Sequence, residues 1–284
     1  MTRRLTVDIS ESVWKMLEER RRQNGADYST IVDSALCSAF GLDQHTLFQV
    51  STSNALVQGV FAGAITVGEL KRHGDMGLGT FAGLDGELVM VDGECFRASA
   101  GGAAEPAPDD QEVPFGLVTR FSADLVVELE AISSIASLHA QLNRYLPSQN
   151  LFLAVRIEGR FEHLAMRAAC PARKGEGLAE ATRHQSEFDL TEATGTLVGF
   201  WAPEYSRSVS VPGYHFHFIS SDRERGGHLL DLEAGRLRAE LQVESEIHLA
   251  IPETEQFLAA DLAGDHRQEL AEAESGSAAV EADR

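Results

Sequence analysis

Cysteine is scarce in this chain. Cys37, Cys95 and Cys170 are the only three, and no two of them form a Cys-x-x-Cys pair. An odd, sparse set argues against a disulfide framework and suits a reducing cytoplasm, the expected location. No run of about 18 apolar residues occurs, so no membrane span is expected. The N-terminal stretch "MTRRLTVDIS" has no apolar core of the kind a secretory signal needs. Positive charge is thin: 24 Lys and Arg stand against 44 Asp and Glu, a formal charge of −20. A surface of that sign, taken whole, repels nucleic acid and anionic lipid. No strand, Gly-rich loop and helix follow one another as a nucleotide site requires, and Gly77 and Gly79 in "GLG" read as backbone turns. Repeats of solenoid period are also absent.

What is present is apolar mass and uneven charge. With 284 residues and 43% hydrophobic content, the chain can build one large domain or two ordinary ones. Residues 1–24 carry a net +2 and the remaining 260 a net −22, which marks a separate N-terminal module over residues 1–45. In that module "RLTVDIS" alternates, with Leu5, Val7 and Ile9 on one face, as a short strand does. Ser10 is placed to cap a helix whose stripe is Val13, Trp14, Met16 and Leu17, and Gly25 is placed to stop it. Ser29 opens a second helix that ends at Gly41.

The body, residues 46–276, is punctuated by glycine. In "LDGELVMVDGE" two Asp-Gly pairs flank an apolar run, which predicts strands joined by tight turns. "SNALVQGVFAG" and "TVGELKRHG" predict helices, and "LFLAVRIEGRFEHLAMRAA" predicts two strands about a turn at Glu158-Gly159. "TGTLVGFWAPEY" and "GYHFHFIS" predict further strands, and "RLRAELQVESEIHLAIP" another pair. Residues 97–114, rich in Ala, Gly, Pro and acids, predict a surface loop, and residues 277–284 a disordered tail.

The segment "VPGYHFHFISSDRERGGHLLD" holds three histidines within fourteen residues. On a strand, His215 and His217 project to one side and Tyr214, Phe216 and Phe218 to the other. Gly226-Gly227 suits a turn back, and His228 on the adjacent strand would complete a set of three neutral nitrogens. Such a set leaves open positions on zinc, as catalytic sites require. The plain alternative is two histidines at the edge of the core and an unrelated one at the surface. His45, His73 and His139 have no comparable grouping and read as structural.

Three blocks, "KRHGDMGLGTFAGLDGELVMVDGE", "GTLVGFWAPEYS" and "GYHFHFISSDRERGGHLLD", resemble α-acetolactate decarboxylase in sequence, order and spacing. That resemblance implies an α+β fold in two parts with mixed sheets, a homodimer, and a zinc enzyme that converts acetolactate to acetoin and carbon dioxide. Its three zinc histidines match His215, His217 and His228. The family's glutamate after "LDG" matches Glu87, its "GLGTF" threonine matches Thr80, and its strand arginine matches Arg167. The Ala168-Ala169-Cys170 that follows departs from the family's usual Thr-Val-Pro. The glutamate that closes the family's site matches Glu274, with Glu272 the competitor. By the chemistry of a β-keto acid, the zinc Lewis acid would stabilise the charge left by carbon dioxide. Arg167 would hold the carboxylate as a fork, and Glu87 or Glu274 would return a proton on one face.

Residues 3–41, read as strand, helix, helix, resemble the ribbon-helix-helix DNA-binding fold. That family dimerises by strand pairing and lays the ribbon in the major groove. The resemblance implies that Arg4, Thr6 and Asp8 face base edges and that the amides at Ser29 and Thr30 hold a phosphate. The rival from another class is a regulator whose acidic body senses a small hydroxy-keto acid without turnover, and a weaker one is a metal hydrolase on the same histidines.

Overall fold

The computed structural model describes residues 6–24, 28–39 and 45–274. The chain divides into two compact units, residues 1–44 and 45–284.

In the smaller unit, helices α1 (Glu11–Asn24) and α2 (Tyr28–Ala39) form as the apolar stripes predict. Ser10 caps α1: its Oγ accepts from Val13 N at 3.4 Å and its carbonyl from Trp14 N at 3.0 Å. Trp14 packs on Tyr28, ring centroids 5.1 Å apart, and the Arg21 guanidinium lies over the same Tyr28 ring. Over its described part, residues 6–10, the expected strand is exposed and carries no secondary structure. An isolated strand needs a partner for its N–H and C=O groups, and the described residues of this unit offer none. Thr6 and Ser29 are exposed, and Thr30 lies within α2. Arg4, Leu5, Gly25, Gly41 and residues 277–284 lie outside the described residues.

The larger unit begins with β1 (Thr46–Val50), α3 (Ser53–Val57), β2 (Ile65–Thr66) and α4 (Val67–Leu70). It continues with β3 (Met76–Thr80), β4 (Glu87–Val91), β5 (Glu94–Ala98), β6 (Ala104–Pro106), β7 (Glu112–Val113) and β8 (Phe115–Thr119). Then come β9 (Leu125–Ile132), α5 (Ile135–Leu142), β10 (Phe152–Ala168), α6 (Leu178–Ala181), β11 (Ser186–Ala202) and β12 (Gly213–Ser220). The last elements are β13 (Gly226–Glu244), β14 (Glu246–Ala250), α7 (Glu255–Ala259) and α8 (Arg267–Glu274).

Two sheets carry this mixed α+β fold. The first is seven-stranded in the order β14-β1-β8-β3-β4-β5-β6, mixed only because β1 and β14 run parallel. The second has the order β10-β11-β12-β13-β9 and is antiparallel throughout. A further β10–β13 pairing closes β10, β11, β12 and β13 into a ring. The Asp-Gly prediction holds at Asp92-Gly93, which joins β4 to β5 with φ of 54° and 79°, the left-handed pair a two-residue hairpin turn demands.

Four expectations fail here. Glu158-Gly159 is no turn; it lies inside the 17-residue β10, paired with Thr196 and Gly195 on one side and Arg238 and Leu237 on the other. Gly77 and Gly79 are strand residues of β3, where a Cβ would meet Leu117 O at 2.3 Å and Phe115 O at 2.4 Å. They are glycine because β8 passes close, not because the chain turns. Gly226 and Gly227 open β13, and the turn falls on residues 221–225. Residues 97–114 contain β6 and β7, whose ladder bonds to β5 and β2 hold a polar segment in strand form.

Period-two alternation positions the site. In β4, Val89 and Val91 enter the layer between the sheets, with Leu78, Phe96, Phe200, Ile219 and Leu270. Leu88 and Met90 point into the opposite core with Phe48, Leu70 and Phe81. In β12, Phe216 and Phe218 join a third core beneath α5. A Cβ at Gly199 would meet Phe216 Cδ1 at 2.1 Å, so the glycine leaves room for that ring. By parity, Glu87 on β4 and His215 and His217 on β12 face one another between the sheets.

Glu244, at the end of β13, is fully buried away from the site. Its Oε1 accepts from Gln242 Nε2 at 2.8 Å, and its Oε2 finds no partner among the described residues. Burial pushes the carboxyl up to about 7, against hydrogen bonds from Thr119 and Gln242 and the nearby His45, with Asp124 reinforcing the rise. Below its ordinary 4.5 the acid is protonated folded or unfolded. Between 4.5 and about 7 only the unfolded chain releases the proton, so stability falls across that window. Glu244→Gln removes this titration. The stability difference between variant and parent, from urea unfolding, is expected to shift in the variant's favour by about 2–3 kcal/mol between pH 4.5 and pH 8. A difference independent of pH contradicts this.

Candidate functional site

The strand registers bring the predicted residues together. His228 pairs with His217 across β12–β13 and with Arg167 across β10–β13, so three strands deliver three side chains at one level. Thr80 pairs with Glu87 across β3–β4, in the facing sheet. Helix α8 adds Glu274, held by the burial of Leu270 and Ala273 against the inter-sheet core.

His215 Nε2 lies 3.1 Å from His217 Nε2 and 3.0 Å from His228 Nδ1. Among the described residues these three form the one His, Cys, Asp or Glu cluster able to hold a metal ion. Two rings are oriented from behind. His217 Nδ1 lies 2.8 Å from the Leu88 carbonyl, which only accepts, so Nδ1 carries the proton and Nε2 keeps its lone pair. The Glu274 backbone carbonyl takes the corresponding bond from His228. His217 and His228 are 1% and 4% exposed. Burial, aided by the Arg167 charge, pushes His215 down to about 3 and holds His217 and His228 well below the ordinary imidazole value. All three are therefore neutral, as metal ligation requires.

The charged groups surround this cluster. Glu87 Oε2 is 3.5 Å from His217 Nε2, and Glu87 Oε1 accepts from Ala169 N at 3.0 Å. Burial raises Glu87 to about 7, against the pull of Arg167 and the Ala169 amide, with Glu274 adding to the rise. Glu274 Oε2 is 3.6 Å from Arg167 Nη2, 3.8 Å from His215 Nε2 and 3.7 Å from His228 Nε2, and burial raises its carboxyl too. Glu272 turns away to accept from Gln268 at 2.9 Å, and is exposed. Thr80 Oγ donates to Gly86 O at 2.8 Å and lines the same cavity.

This donor set fits a small dication. Tetrahedral ligation at the Zn–N distance of about 2.0–2.1 Å spaces nitrogens by about 3.3 Å, close to the two separations about His215, and all three ligand atoms lie within 4.8 Å of one another. With neutral imidazoles and at most two carboxylates against Arg167, the cluster's formal charge is no lower than −1, so a dication makes the site net positive, complementary to a monoanionic substrate. The rest of the cavity wall is mostly apolar, with Leu56, Leu84, Phe115, Leu178 and Val211, and Thr182 joins it.

Sequence reasoning missed one residue behind Arg167 and one in the wall. Gln185 accepts from Arg167 Nη1 at 2.8 Å, and Cys170 lines the cavity beside Ala169. Gln185 stands just before β11, and only the pairing of Arg167 with Glu187 brings it near; no local pattern signals that.

Comparison with known proteins agrees with this geometry. The α-acetolactate decarboxylase of Methanosarcina mazei is 41% identical over 229 residues, 80% of each chain. That of Methylococcus capsulatus is 39% identical over 236 residues, 83% of this chain and 91% of its own. The crystal structure of the Bacillus subtilis strain 168 enzyme superposes with a TM-score of 0.78 at 33% identity, covering 82% of this chain and all of that one. The sequence profile of the family matches residues 47–264. The chain belongs to the α-acetolactate decarboxylase family and is a decarboxylating enzyme acting on α-acetolactate.

Proposed function

We propose that the larger unit performs a zinc-dependent decarboxylation of 2-acetolactate to acetoin and carbon dioxide, with zinc held by His215, His217 and His228. The observation that carries this reading is the convergence of three neutral imidazoles, at 3.0 and 3.1 Å, beside one arginine and two raised carboxyls. When bound, the ion supplies a Lewis acid for the charge that departing carbon dioxide leaves next to the ketone.

The chain's own residues do the rest. Arg167 grips the substrate carboxylate until it leaves. The apolar wall excludes water, which keeps that interaction strong and protects the reactive carbon. Glu87 has Oε1 engaged by the Ala169 amide, so its proton resides on Oε2, facing the histidines. From there it protonates one face of the carbon and yields one acetoin enantiomer. Glu274, carried on α8, closes the site over Arg167 and His228, and Thr80 braces the Gly86 turn that leads into Glu87. The sensor and hydrolase readings yield to the family assignment.

Purified protein is expected to form acetoin from racemic acetolactate, to lose that activity on chelation, and to regain it with added zinc. Acetoin formation indifferent to chelation contradicts the zinc reading.

For the smaller unit we propose a dimerisation module, residues 1–45, that also contacts DNA through Arg4, Thr6 and the amides of Ser29 and Thr30. Exposed Val7, Ile9, Val13 and Met16 form an apolar set that strand pairing with a second copy covers. The net +2 of residues 1–24 supplies the local positive charge. The full chain is expected to shift promoter DNA in a salt-sensitive manner, and no shift at low salt ends this reading.

A further inference from the structure

Arg167 is 5% exposed, and its five N–H donors are unequally engaged. Nη1 donates to Gln185 Oε1 at 2.8 Å. Nη2 lies 3.6 Å from Glu274 Oε2, beyond a good hydrogen bond. Nε–H is buried and finds no acceptor among the described residues. A guanidinium offers a carboxylate two forks, end-on through both Nη atoms or side-on through Nε and Nη2. Gln185 takes one of the two Nη1 N–H groups, whereas the side-on edge of Nε and Nη2 has no close acceptor and contains the unpartnered Nε. A buried donor left without a partner is costly, so this edge is poised for an acceptor that arrives with the substrate.

The orientation of Gln185 is fixed from both ends. Its Nε2 donates to Glu187 Oε1 at 2.9 Å, and a carboxylate can only accept. Its Oε1 must then face Arg167, which can only donate. Glu187 stands opposite Arg167 across the β10–β11 ladder, so the relay Glu187–Gln185–Arg167 is anchored in the sheet at both ends.

We propose that Gln185 is a positioning residue for substrate binding: it takes one N–H of Arg167 Nη1 and orients the guanidinium for a side-on grip of the substrate carboxylate. The proposal rests on the reading of Arg167 as the group that holds that carboxylate. It also predicts which ligands feel the relay, namely those bearing a carboxylate, and not the neutral hydroxyketone product.

The test is Gln185→Met, which keeps length and removes the acceptor, with Gln185→Glu as an isosteric second variant. The readouts are steady-state kinetics and inhibition by 2-hydroxyisobutyrate, a carboxylate with a tertiary hydroxyl, and by acetoin, the neutral product. Gln185→Met is expected to raise KM for acetolactate about tenfold, the order of one charge-assisted hydrogen bond, with kcat within about twofold. Inhibition by 2-hydroxyisobutyrate is expected to weaken by the same factor and inhibition by acetoin to stay unchanged. Gln185→Glu places a competing carboxylate on Arg167 and is expected to weaken 2-hydroxyisobutyrate at least as much. Equal weakening of both inhibitors, or a fall in kcat with KM unchanged, overturns the proposal. Arg167→Met separates the two layers: if it spares 2-hydroxyisobutyrate inhibition, the reading of Arg167 fails. If it weakens that inhibition while both Gln185 variants do not, only the role of Gln185 fails.

Discussion

His217→Gln is expected to lower kcat/KM for acetolactate by about a thousandfold and to leave the protein unable to retain a stoichiometric metal ion. The ring is 1% exposed, and its Nδ1–H is spent on the Leu88 carbonyl, so Nε2 is its only outlet. Removing it takes one of three nitrogens from the cluster. Lewis-acid stabilisation is worth several kcal/mol, and each 1.36 kcal/mol is a factor of ten, which sets the scale at about three decades. His163→Gln is the control: that histidine pairs with Asp189 at 2.9 Å, its side chain is 38% exposed, and it stands outside the cluster. Activity assays and metal analysis on both variants decide the matter. A His217→Gln protein that keeps its metal and its rate contradicts the assignment.

Glu87→Gln is the second large effect. The amide keeps the shape and can still accept from Ala169 N, so the fold and the three imidazoles stay in place. What is lost is a transferable proton on a group that burial holds near neutrality. General acid catalysis by one side chain is worth about 10²- to 10⁴-fold, and kcat is expected to fall by that factor with metal content unchanged. Proton delivery then passes to solvent, so the acetoin formed is expected to lose optical purity. Chiral chromatography of the product reads this directly. Full activity with unchanged handedness removes Glu87 from the proton-donor role.

The parts of this site that a linear reading reaches are those that obey period two. His-x-His on an apolar strand places both rings on one face, and β12 spans the same residues, Gly213–Ser220, that "GYHFHFIS" predicts. The resemblance to a family carries Glu87, Arg167 and Glu274; strand registers set the first two around the cluster and helix α8 brings the third. The linear reading fails where tertiary contacts decide. Gly159 reads as a turn signal, yet it is glycine because a Cβ would meet Leu237 Cδ2 at 2.6 Å. Gly77 and Gly79 fail for the same reason. Gln185 is invisible because its role exists only once β10 and β11 are in register. The choice between Glu272 and Glu274 turns on which face of α8 is buried, the one that carries Leu270 and Ala273 into the inter-sheet core, a question of packing rather than of pattern. The N-terminal strand fails differently: its alternation is real, but the hydrogen-bond partner a strand needs is not among the described residues of a single chain.

The central claim is that one ion on His215, His217 and His228 carries the decarboxylation. The most direct measurement is a titration of metal-stripped protein with zinc, following acetoin production at each addition. The account predicts a linear rise that breaks at one zinc per chain, and no rise for His217→Gln. Full acetoin production by the metal-stripped protein, or a rise in His217→Gln matching that of the parent, would contradict it.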